Sequence, residues 1–71
     1  MTPEQKDYLI FYHDKMKFVN ELLKNPEVIE FANQTIVGMV NAAEVAKEEY
    51  IKKYGSFPSM EEIERILNTG N

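Results

Sequence analysis

Asn25-Pro26-Glu27 separates two long helical patterns in a chain of 71 residues. The residue before a proline is driven out of the helical region, so a first helix must stop at Asn25. The asparagine side chain can cap the next helix, and Pro26, which has no N–H to lose, fits its first turn. A connection this short favours an antiparallel helical hairpin.

Upstream, Thr2, Pro3 and Gln5 form a helix start. The threonine oxygen can accept from an early backbone amide, Gln5 can complete a capping box, and proline suits the first turn. The spacing predicts a helix over residues 3–24. On a wheel of 3.6 residues per turn, Tyr8, Leu9, Phe11, Tyr12, Met16, Phe18, Val19, Leu22 and Leu23 span roughly half the circumference, with Ile10 outside. One neighbouring helix cannot cover so broad an arc. Lys15 falls inside it, where its stem can lie on Tyr8 or Phe11 while the ammonium reaches water. On the other side, Asp14 with Lys17 and Glu21 with Lys24 are spaced to pair.

Downstream, Val28, Ala32, Thr35, Met39, Ala42 and Ala46 recur at steps of four and three, flanked by Ile29, Ile36, Val40, Ala43, Tyr50 and Tyr54. This predicts a second helix over 26–54. Its alanines allow close approach to the large side chains of the first helix. Gly38 disfavours a helix interior, so a break there is the alternative to a continuous helix. Glu44 with Lys47, Glu48 with Lys52, and Glu49 with Lys53 add weak support at helical spacing. Gly55 offers a left-handed cap, and Ser59 with Glu62 has the capping-box pattern. A third helix is expected over 60–68, with Met60, Ile63, Ile66 and Leu67 on its apolar side and Phe57 anchoring its return to the hairpin. Thr69, Gly70 and Asn71 are expected to fray.

Composition narrows the function classes. A chain of this length makes one domain and hides only about 60% of its unfolded surface, so it gains from a partner. It has no cysteine, which removes disulfide staples, thiol nucleophiles and cysteine-type zinc sites and fits a reducing, cytoplasmic setting. Twelve acids against eight bases give a net charge of −4, unfavourable for direct nucleic-acid binding. The amino terminus carries no signal-peptide pattern, and the longest apolar run, Tyr8 to Tyr12, is too short to span a membrane.

Nothing in the residue pattern points to catalysis or a cofactor. His13 is the single histidine and is expected at the surface. Glu27, Glu30, Glu44 and Glu48 face outward, away from any inward metal site. Ser56, Ser59 and Thr35 are conceivable nucleophiles, but the serines serve the bend and cap, and Thr35 edges the core stripe. Glycines at 38, 55 and 70 are too dispersed for a phosphate loop. Residues Gly55 to Leu67 superficially suit a helix-turn-helix, yet Glu61, Glu62 and Glu64 against Arg65 would repel phosphate.

The sequence therefore predicts an all-α fold, a long antiparallel hairpin plus a short C-terminal helix, assembled as a homodimeric bundle. The expected role is that of a small non-enzymatic protein-binding or regulatory module. Phe11, Phe18, Leu22, Ile36, Met39, Ala43 and Tyr50 are the candidates for self-association. Asn33, Gln34, Val37, Asn41, Glu61, Glu62 and Glu64 are the candidate surface for a further protein partner. The alternative is an acidic inhibitor from a phage or mobile element that occupies a basic nucleic-acid-binding site on a host protein.

Overall fold

The computed structural model describes residues 1–69 and contains three helices: α1 (Pro3–Leu23), α2 (Pro26–Tyr54) and α3 (Met60–Thr69). Among the described residues there is no strand. The expected ends hold to within a residue, α1 stopping at Leu23 and α3 including Thr69, where the sequence predicts fraying; the fraying expected of Gly70 and Asn71 lies outside the described residues.

Local chemistry sets each boundary. Thr2 Oγ1 accepts from the Gln5 N–H at 3.1 Å while the Gln5 side chain accepts from the Thr2 N–H at 2.9 Å, a complete capping box. Asn25 is extended, and its Oδ1 accepts from the Glu27 N–H at 3.1 Å with Pro26 in the first turn of α2. Gly55 ends α2 with φ 104 and ψ −87, a positive φ that a side chain would strain, and its N–H donates to the Ile51 carbonyl at 2.9 Å. Ser59 Oγ then accepts from the Glu62 N–H at 3.2 Å to start α3. The break considered at Gly38 does not occur, and α2 runs through it. The neighbours of Gly38 are mostly β-branched and weak helix formers, so it is burial of Ile36 and Ala43, not local preference, that carries the helix through the glycine.

The core lies where all three helices meet. Leu9 and Ile63 are completely enclosed, and with Tyr12, Ala43 and Tyr50 they form one cluster. Small residues of α2 face large ones of α1, as the alanine spacing implies. Phe57 joins the connector to this cluster, its ring 4.8 Å from that of Tyr12 and 5.2 Å from that of Tyr50, both edge-to-face. Tyr50 also meets Tyr8 at 6.2 Å and Tyr54 at 4.9 Å. Toward the hairpin turn only α1 and α2 remain, and Val19 and Ile36 are buried there.

Two polar details depart from the sequence reading. Lys53 reaches across to Glu4 of α1 at 2.6 Å instead of pairing with Glu49 in its own helix. His13, expected at the surface, is half-buried at the seam of α1 and α3, with Nε2 3.4 Å from Glu64 Oε1 and Nδ1 3.9 Å from Asp14 Oδ1. Wheel position alone left His13 outward; the return of α3 covers that side of α1.

Ile63→Ala should destabilise the fold by about 2 to 5 kcal/mol, because a fully buried side chain is removed from α3, which closes the cluster together with Phe57. Urea unfolding followed by circular dichroism checks this. A change within about 0.5 kcal/mol would mean that α3 contributes little to the core.

Candidate interaction surface

Two helices side by side make a layer with two faces, and α3 covers one. It approaches α1 from the His13 side, and Phe11 lies two residues from His13, about 200° around the helix. On α2, Lys47 holds its ammonium 5.7 Å from the Phe57 ring centroid, and Val45 lies about 200° around from Lys47. The face carrying Phe11 and Val45 is therefore opposite α3. There a groove of about 520 Å³ runs between α1 and α2, floored by Tyr8, Phe11, Ala42, Val45 and Ala46 and edged by Glu4, Asp7 and Glu49.

The apolar surface continues beyond the groove. Phe18 lies seven residues along α1 from Phe11, and Gly38 lies seven residues back along α2 from Val45, so both reach the same level of the antiparallel pair. Phe11 is 42% exposed, Phe18 50%, Val45 55% and Phe31 90%. On α2 this surface follows Phe31, Thr35, Gly38, Ala42, Val45 and Glu49, steps of four and three that keep one side of the helix. A side chain built at Gly38 would have nothing within 4 Å. Glycine costs a helix interior about 1 kcal/mol relative to alanine, and no contact within the chain calls for it.

A polar chain closes the end of the groove. Lys53 Nζ donates to Glu4 at 2.6 Å and to the Tyr8 hydroxyl at 3.1 Å, and that hydroxyl donates to Glu49 Oε2 at 3.3 Å. The hydrogen bond and charge of Lys53 hold the Glu4 carboxyl below its ordinary value of 4.5. Glu4 in turn, with Tyr8, raises the Lys53 ammonium above its ordinary range. These groups are exposed, so they orient the helix ends with little effect on stability. Lys15 lies against Phe11 as its position implies, but through its ammonium, 5.2 Å from the ring centroid, and not through its stem alone.

The residues singled out from the sequence divide between surface and interior. Phe11 and Phe18 are exposed on the uncovered face; Leu22 and Met39 are half-buried. Ile36, Ala43 and Tyr50 are buried within the chain, Ala43 and Tyr50 in the cluster that α3 closes, and so are not on the uncovered face. Asn33 and Val37 are exposed on another sector of α2, Gln34 and Asn41 are exposed at the edge of the bare face, and Glu61, Glu62 and Glu64 are exposed on α3. None of these seven lines the groove. Phe31, the most exposed large apolar residue described, was not singled out, although its place in the four-and-three series with Gly38 and Val45 was the available signal.

Among the described residues no three His, Asp or Glu side chains are grouped as a metal would require. A smaller recess of about 260 Å³ at His13, Lys17, Glu64, Leu67 and Asn68 lies on the α3 side. Ser59 uses its hydroxyl as a helix cap. No described helix is long and apolar enough to cross a membrane. No protein family model, curated protein or solved structure matches the chain.

Because the Glu4 carboxyl is depressed, its pairing with Lys53 favours the fold above the ordinary carboxylate range and is lost as pH falls through the depressed folded value. The raised Lys53 ammonium supplies its share below its ordinary value of 10.5, losing it only as pH rises through the folded value. A carboxyl NMR titration should show Glu4 returning toward 4.5 in Lys53→Met. An unchanged Glu4 midpoint would mean that the ion pair does not form in solution.

Proposed function

We propose that this chain is a non-enzymatic protein-interaction module that self-associates through the uncovered face of its hairpin. The observation that carries the reading is that Phe11, Phe18, Phe31 and Val45, all exposed, share the side of the hairpin that α3 leaves bare. Large contiguous apolar patches on a soluble chain mark contact surfaces, whereas isolated apolar residues do not.

Overall dimensions favour the same reading. The radius of gyration is 13.3 Å, against the roughly 11 Å expected of a compact chain of this length. The accessible surface of 5106 Å² exceeds the roughly 4,600 Å² expected for the mass. The layer measures 39 by 25 Å in its broad plane, room for the about 800 Å² that each partner contributes to a stable interface. Once two copies cover this face, Asn33 and Val37, or the acids of α3, remain for a further protein partner, while Gln34 and Asn41 lie at the edge of the covered face.

Sedimentation equilibrium at high micromolar concentration should return a dimer. Phe18→Glu, placed on the bare face away from the core cluster, should return a monomer of unchanged helicity. A monomeric wild-type chain at that concentration would remove the basis of the reading.

A further inference from the structure

Building on the self-association reading, we infer that the second copy packs α2 antiparallel to α2 about a two-fold axis at Gly38, so that Phe31 of each chain fills the groove at Phe11, Ala42 and Val45 of the other.

The face carries both a projection and a recess. Phe31 stands 90% exposed, and the 520 Å³ groove around Val45 is apolar on its floor. An isologous interface requires that one operation bring each such feature onto its complement. A two-fold axis at Gly38, perpendicular to α2, pairs positions equally far before and after it. Phe31 lies seven residues before Gly38 and Val45 seven after, so each is about 10 Å from the axis and they meet across the interface. Thr35, three before, meets Asn41 and Ala42, three and four after.

The same axis resolves the remaining features of the face. Gly38 meets the partner's Gly38, and without side chains the two α2 helices approach closely at their crossing, the contact absent within one chain. Phe18 is level with Gly38, so it lies near the axis and faces the partner's Phe18. Phe11 is level with Val45 in the groove and receives the partner's Phe31 with it. At the rim, Glu27 reaches the level of the partner's Glu49, a like-charge pair that Lys52, one turn beyond, offsets in part. The assembly is thus held by apolar contact, and added salt, by screening the rim acids, should not weaken it.

The aromatic anchors of this face and its self-complementary spacing favour a copy of the chain as occupant. Phe31 is so exposed that its removal leaves the single-chain fold intact, and a side chain at Gly38 meets nothing within 4 Å, so variants at either site read the interface.

The test is the dimer dissociation constant of the full chain by sedimentation, joined to isotope-filtered NMR on a mixture of labelled and unlabelled copies. Phe31→Ala should weaken the dimer by at least about tenfold, Gly38→Leu should weaken it as much or more, and Val37→Ala on another sector should leave it unchanged. The filtered spectrum should show Phe31 ring protons of one copy near the Val45 methyls of the other. A wild-type dimer whose affinity survives Phe31→Ala and Gly38→Leu, or whose intermolecular contacts come from Val37 or α3 instead, overturns this pairing and leaves self-association standing. A wild-type monomer at high micromolar concentration overturns both.

Discussion

A hairpin of two long helices must cover two faces, and this chain has one short helix with which to do it. At 1.5 Å per residue α3 is roughly 15 Å long against roughly 43 Å for α2, so it closes one face near the open end of the hairpin and leaves the other bare. The sparse fully enclosed core, the elongated outline and the exposed phenylalanines follow from that mismatch. The interface proposed above supplies the missing cover from a second chain.

What fixes the connector leading into α3 is aromatic, and α3 itself adds Ile63 to the same cluster. Tyr50 lies at the centre of the cluster, meeting Tyr8, Tyr54 and Phe57, while Tyr12 holds the other edge of Phe57. Edge-to-face rings gain both from burial and from the match of negative face to positive edge. The polar tips are spent at the periphery, as where the Tyr8 hydroxyl links Lys53 to Glu49. The chain thus builds one well-packed end and leaves the rest of the hairpin, toward Asn25, with a thinner interior of Val19 and Ile36.

Helix ends were legible because capping is local: Thr2 with Gln5, Asn25 with Pro26, and Ser59 with Glu62 act over two or three residues. The fold-back of α3 was legible through Phe57. Less accessible was how the broad arc of α1 and the stripe of α2 are shared between inside and outside. Periodicity gives the angular width of an apolar surface but not which part a neighbour takes, so Ile36, Ala43 and Tyr50 look like Phe11 and Phe18 until the helices are placed. Phe31 gives a weak signal in the sequence because its series alternates large, small and absent side chains. Lys53 and His13 found their acidic neighbours on other helices, Glu4 and Glu64, at separations no local spacing encodes.

The central claim, that the bare face of the hairpin is covered by another copy, is tested most directly by small-angle X-ray scattering over a concentration series. Face-to-face pairing should double the scattering mass and thicken the 16 Å axis while adding little to the 39 Å one. A mass of one chain and a radius of gyration near 13.3 Å at every concentration would contradict it.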